Sequence, residues 1–152
     1  MTDKKIPIKE YITTTEHHAQ TILKNFVEKN TQFSTKFIVH KFLSQNEKQL
    51  KMIRADKSIT EKPLIPEQWL AEQDWINIRQ DFESKFDLEN LNFIEATQLA
   101  VRMNEYLMNI YHAAELKTSS VPVKRALSKV RAKKSSANLK LKMDYTRLSN
   151  ES

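Results

Sequence analysis

Hydrophobic positions along most of the chain recur every three or four residues, which is the period of a helix with one buried side. The first such segment follows the Thr13–Thr15 run, whose hydroxyls predict a helix N-cap. A second helix is predicted over about 33–55, because the apolar cluster at 37–43 continues into a narrower stripe instead of ending as a strand would. The stripe of the first helix consists of Ala19, Ile22, Leu23, Phe26 and Val27.

The central part of the chain predicts two further helices. A proline-containing break precedes the third, over 66–86, and Pro66 suits the first turn of a helix. The fourth helix is predicted over 93–117, where Asn92 followed by Glu95 resembles a capping box. This fourth helix carries the cleanest apolar stripe, and it is therefore the predicted spine of the fold.

The last part of the chain predicts a basic helix followed by an extended arm. The helix starts near Pro122 and has only a thin apolar stripe, which is enough for it to pack against the surface of the helical body but not to be buried within it. Residues 139–145 then alternate apolar and polar one for one, the period of a strand. Such an arm could join the sheet edge of a partner or pair with its own copy. An arm laid across the helices and a continuation of the helix are the alternatives.

Together these patterns predict an all-α protein. The predicted parts are an N-terminal lead-in (1–11), a four-helix bundle-like body (12–118), and a basic C-terminal helix with a short extended arm (119–152). The chain has no glycine, where average usage predicts about ten in 152 residues. Helices tolerate this absence best, whereas Gly-rich phosphate loops and nucleophile elbows are excluded. The absence of cysteine excludes disulfides and zinc sites built on sulfur.

No pattern predicts catalysis, a cofactor or a metal. The adjacent His17 and His18 would point about 100° apart on a helix, so they are poorly placed to bind one ion. Acidic pairs such as Asp81 and Glu83 point to different sides of a helix and resemble a solvated surface more than a general acid and base. We therefore predict a non-catalytic protein with no cofactor and no metal site.

Hydropathy predicts no membrane partner. No apolar run approaches the roughly 20 residues of a spanning helix, and the first ten residues lack the apolar core of a secretory signal. A cytoplasmic protein is the expectation. The frequent use of Lys, Asn and Ile fits an AT-rich bacterial or phage genome.

Charge along the chain is segregated. The net charge is +6, made up of +5 over residues 1–60, −6 over 61–120 and +7 over 121–152. Clustered cations favour a polyanionic partner, because each neutralised phosphate releases condensed counterions. No base-reading motif accompanies them, so we predict backbone contacts to DNA or RNA with little sequence specificity. The predicted nucleic-acid-binding residues are Lys124, Arg125, Lys129, Arg131, Lys133, Lys134, Lys140 and Lys142.

The same composition also fits a basic tail that docks on an acidic protein partner or on the acidic middle of its own chain. Two hypotheses therefore stay open. The first is an accessory subunit of a larger bacterial or phage nucleoprotein assembly, and the second is a protein-binding inhibitor, adaptor or assembly scaffold. A homo-oligomer is compatible with both. The predicted protein-interface residues are Trp69, Trp75, Leu139, Leu141, Met143 and Tyr145.

Overall fold

The computed structural model describes residues 4–29, 33–60, 64–70, 72–87 and 89–151. These residues form five α-helices and one short antiparallel ribbon, and the predicted all-α, bundle-like class is confirmed. In chain order the elements are β1 (Lys5–Pro7), α1 (Ile8–Glu28), α2 (Phe33–Ala55), β2 (Leu64–Pro66), a 3₁₀ turn (Glu67–Trp69), α3 (Glu72–Lys85), α4 (Phe93–Lys117) and α5 (Val121–Glu151).

Helix α1 begins earlier than the threonine run predicts. Its N-cap is Pro7, which makes no side-chain capping hydrogen bond, and Ile8 is its first residue. Ile8 and Ile12 are fully buried, so the apolar stripe extends upstream of the predicted start. Thr15 lies inside the helix, where its hydroxyl donates to the carbonyl of Tyr11 at 2.7 Å. A threonine hydroxyl that bonds back to the preceding turn does not cap a helix.

A two-stranded ribbon ties the start of the chain to the segment before α3. Strands β1 and β2 pair antiparallel, with Ile6 opposite Ile65. Both isoleucine side chains are buried in the main core. Lys4 and Glu67 extend the contact through an ion pair of 3.2 Å. The predicted lead-in is therefore structured from Lys5 onward, which the sequence pattern did not indicate.

Helices α2 and α4 have the predicted bounds. The capping box of α4 is present, because the Glu95 amide donates to Asn92 Oδ1 at 2.8 Å and the Asn92 amide donates to Glu95 Oε1 at 3.4 Å. Helix α4 packs against α1, α2 and α5. The prediction that this helix forms the spine of the fold is confirmed.

Helix α5 is one continuous helix of 31 residues, so the predicted extended arm over 139–145 is wrong. Its buried stripe runs from Val123 through Val130 to Leu141, and it passes two buried polar residues, Lys134 and Asn138. Because polar residues occupy these two stripe positions, hydropathy does not reveal the helical period. The buried apolar residues of α5 belong to the main core cluster: Val123, Ala126, Leu127, Val130 and Leu141.

A charged cluster joins α3 to α4 around Asp81. One carboxylate oxygen lies 2.8 Å from the Lys85 ammonium, and the other accepts hydrogen bonds from Arg102 Nε at 3.0 Å and from the Tyr106 hydroxyl. Partial burial alone would raise the pKa of Asp81. The hydrogen bonds from Lys85, Tyr106 and Arg102 outweigh it and lower the pKa to about 2.

This lowered pKa predicts a specific dependence of stability on pH. A carboxyl group with a lower pKa in the folded state contributes stability above its unfolded pKa of 3.8, and the contribution is lost as the pH falls through about 2. Urea denaturation of wild type between about pH 5 and pH 2 should therefore show a decline that Asp81→Asn reduces. Glu83→Gln, an exposed carboxyl on the same helix, is the control and should leave the decline unchanged. Equal pH profiles for wild type and Asp81→Asn would contradict the prediction.

Candidate nucleic-acid interface

The predicted cations of α5 do not form one exposed surface. The rotation of the helix places one of them in the core, three beside carboxylates of other elements, and four without a carboxylate within 4.0 Å among the described residues. The last four are Lys124, Arg125, Lys133 and Lys140.

Lys134 is the buried cation, with an exposed fraction of 2%. Its ammonium pairs with the carboxylate of Glu16 on α1, which is equally inaccessible. The same carboxylate accepts hydrogen bonds from Asn46 Nδ2 at 2.6 Å and from the Tyr111 hydroxyl at 2.5 Å. The prediction that Lys134 contacts nucleic acid is therefore wrong, because a phosphate cannot reach a side chain enclosed by the bundle.

The Glu16–Lys134 pair belongs to a polar network that joins α1, α2, α4 and α5. Gln20 Nε2 donates to the side-chain oxygen Oδ1 of Asn46 at 2.5 Å. Burial, and then the negative charge of Glu16, raise the pKa of Tyr111 well above its usual value of 10.0, so this hydroxyl stays protonated and donates. The sequence carries a signal for this network, since Glu16 and Gln20 fall in phase with the apolar stripe of α1.

Two further cations are paired with carboxylates from other parts of the chain. Lys129 pairs with Asp56, in the turn after α2, and also donates to the Ser58 hydroxyl at 3.2 Å. The hydrogen bond from Lys129, followed by those from Ser58, lowers the pKa of Asp56. Arg131 meets Glu115 of α4, with its Nε 3.0 Å from the carboxylate. Glu115 lies in the acidic middle of the chain, so the Arg131 contact is of the self-docking kind that the charge segregation left open, whereas Asp56 lies in the basic first 60 residues.

Lys142 is only weakly held. Its ammonium lies 3.8 Å from Glu105, and both side chains are more than half exposed. An exposed pair at this distance contributes little free energy, about 0–1 kcal/mol. Lys142 therefore stays accessible, although it lies near the α4 side of α5.

A basic groove separates α5 from α2 and brings free cations of both helices together. Its volume is about 600 Å³, and no acidic residue is among the described residues that line it. Lys133 and Lys140 lie on one wall and Lys48 on the other. The lining residues are Gln45, Lys48, Gln49 and Met52 of α2, and Lys129, Ala132, Lys133, Ser136, Ala137 and Lys140 of α5.

Lys48 is a groove residue that sequence reasoning missed. It lies 85 positions before Lys133, so no local charge cluster pointed to it. The available signal was the net charge of +5 over the first 60 residues, which nothing in the sequence connected to the C-terminal cations.

No family model, curated protein or solved structure matches this chain. In the part of the chain that the structure describes, no three His, Asp or Glu side chains gather as a metal site. None of the helices in the described ranges combines the length and the apolar character of a membrane span.

The two tryptophans predicted at a protein interface belong mainly to the core and its edge. Trp75 is only 6% exposed and its ring stacks on His18 with centroids 5.2 Å apart, so a surface role for it is wrong. Trp69 is half-buried, and the Lys117 ammonium lies 5.7 Å from the centroid of its ring. Trp69 therefore keeps one accessible edge.

The predicted interface residues of α5 separate onto two sides of the helix. Leu141 is 8% exposed and packs in the core, so it is not an interface residue. Leu139 and Met143 are one turn apart and 62% and 64% exposed. The side chain of Tyr145 lies outside the described residues. Among the predicted interface residues of α5 whose side chains are described, Leu139 and Met143 thus form the exposed apolar pair.

Proposed function

We propose that this protein is a non-catalytic accessory protein that binds the phosphate backbone of nucleic acid in the groove between α2 and α5. The observation that carries the proposal is the convergence of Lys48, Lys133 and Lys140 on one groove with no carboxylate among its described lining. Cations that have no carboxylate partner attract phosphates most strongly, because binding releases counterions and costs no ion pair of the protein.

One further accessible cation of α5 extends the same basic surface. Arg125 lies one helical turn before Lys129 on α5, so helical spacing places it on the groove side. Lys124 is exposed but lies nine positions before Lys133, so helical spacing places it on the opposite side of α5 from the groove. Lys129 lines the groove but is held by Asp56, and it contributes less than its position in the sequence suggests.

Contacts with other proteins fit a different set of residues. Exposed apolar side chains one turn apart occur as Leu139 and Met143 on α5 and as Phe33 and Phe37 on α2. Contiguous exposed apolar side chains can serve as protein-binding surfaces, and these pairs are the candidates for such contacts. They support a place within a larger nucleoprotein assembly, in which the groove holds the nucleic acid and these side chains contact neighbouring subunits.

The decisive test removes the three groove cations together. Lys48→Gln, Lys133→Gln and Lys140→Gln in one variant should weaken binding to a short labelled oligonucleotide by about 100-fold at ~50 mM salt, because about three phosphate contacts are lost. Fluorescence anisotropy measures the affinity. The control variant carries Gln at Lys5, Lys24 and Lys29, which are exposed, lie outside the groove and remove the same net charge.

The control variant should bind within about threefold of wild type, since its cations do not converge. Equal losses in the two variants would mean that binding follows net charge alone and would contradict the groove assignment. If wild type binds no nucleic acid at ~50 mM salt and copurifies with one stoichiometric protein, the protein-binding hypothesis replaces this one.

A further inference from the structure

We infer that the groove holds one strand of nucleic acid by its sugar–phosphate backbone and leaves the bases facing the solvent. This inference rests on the proposed function and specifies its ligand. Three features of the groove carry it: its concave shape, the spacing of its free cations, and the chemistry of the residues between them.

The concave shape disfavours a duplex. A helix that reads duplex DNA enters the major groove, which is about 12 Å wide and just admits a helix of about 10–12 Å diameter. Such a helix has to protrude from its protein. Lys133 and Lys140 instead face a channel whose opposite wall, with Lys48, is the neighbouring helix. A single strand that lies along this groove would meet cations from both helices, and this arrangement is the one we infer.

The free cations have a spacing that suits phosphates a few nucleotides apart on one strand. Lys133 and Lys140 are seven residues apart, which is about 10.5 Å along a helix. That length spans about three phosphate-to-phosphate intervals at 3.4 Å per nucleotide of a stacked strand, and fewer when the strand is extended. Lys129 lines the groove one turn before Lys133, but its ammonium is bound to Asp56 and Ser58. The free positive charge is therefore concentrated around Lys48, Lys133 and Lys140.

Residues between the lysines suit the backbone better than the bases. Gln45, Gln49 and Ser136 offer the amide and hydroxyl groups that contact phosphate and sugar oxygens in nucleic-acid complexes. Ala132 and Ala137 are small and leave room in the channel. No aromatic ring is among the described residues of the lining, so the bases find no stacking platform there. Recognition should therefore be independent of base identity.

The experiment compares three labelled probes of equal length with the full chain: an oligothymidylate, an abasic strand with the same number of phosphates, and a blunt duplex. We expect the first two to bind within about threefold of each other and the duplex at least about tenfold more weakly. This preference is diagnostic, because the duplex carries twice the phosphates and a pure charge effect would favour it. For the single strand, log K against log salt should have a slope of about −2, from three contacts at about 0.7 each.

The outcomes distinguish among the single-strand inference, the backbone-only contact and the proposed function. Equal or tighter duplex binding that the Lys48, Lys133 and Lys140 variant abolishes would overturn the single-strand inference and leave the proposed function standing. Binding of the abasic strand at least about tenfold weaker than that of oligothymidylate would overturn the backbone-only contact. Failure of all three probes to bind at ~50 mM salt would overturn the proposed function and the inference together.

Discussion

Replacement of Lys134 by methionine is expected to destabilise the protein by about 3–5 kcal/mol, because it leaves the Glu16 carboxylate buried without its counter-charge. Both partners are almost fully buried, at 2% and 1% exposure. Methionine has a similar length and fills the space of the lysine stem, so the loss reports the missing charge more than a cavity. Urea denaturation followed by circular dichroism measures the change in the free energy of unfolding.

Two variants separate this effect from a general loss of charge. Lys133→Met changes the neighbouring, partly exposed lysine and should stay within about 0.5 kcal/mol of wild type. The double variant Glu16→Gln with Lys134→Met should recover most of the loss, because neither charge is then buried and the amide oxygen of Gln still accepts from Asn46. A loss below about 1 kcal/mol in Lys134→Met would contradict the buried ion pair.

Replacement of Ser135 by proline is expected to cost about 3 kcal/mol or more, since it interrupts the middle of α5. Proline removes the amide that would donate to the carbonyl four residues earlier, and its ring clashes with that turn. Ser135 is exposed, so no side-chain packing is lost in the exchange. The effect therefore measures the helical continuity of α5 itself, and urea denaturation reports it.

Ser135→Ala is the matched control for this backbone effect. Alanine has the higher helix propensity, so the variant should be as stable as wild type or more stable by up to about 0.5 kcal/mol. Similar stabilities of the proline and alanine variants would contradict a continuous α5. They would instead favour the separate arm that the alternation of residues 139–145 indicated.

The sequence predicted the helices best where their signals are local. The bounds of α2 and α4 follow from apolar stripes, and Asn92 with Glu95 marks the start of α4 within four residues. The sequence was misleading where a polar residue occupies a buried position. Lys134 and Asn138 interrupt the apolar stripe of α5. The alternation of Leu139, Leu141 and Met143 that follows resembles a strand, although only Leu141 of these three is buried.

The candidate site was predicted only in part. The location of the basic segment, and Lys133 and Lys140 within it, came from the clustering of charge along the chain. Lys48 did not, because it reaches the same groove from another helix. Composition also could not distinguish Lys133 from Lys134. The two lysines are adjacent in sequence, but Lys133 is partly exposed and Lys134 is buried.

The sequence by itself determined that this protein is helical, where its main helices run, and that positive charge gathers near its C-terminus, because periodicity, caps and composition act over a few residues. Only the tertiary structure decided which cations are free. Lys129 meets a carboxylate 73 positions away, and the Tyr111 hydroxyl meets Glu16 across 95. Whether an ammonium group is buried, paired or open to a phosphate depends on such distant partners, since the cost of removing it from water is offset only where the fold brings a carboxylate to it.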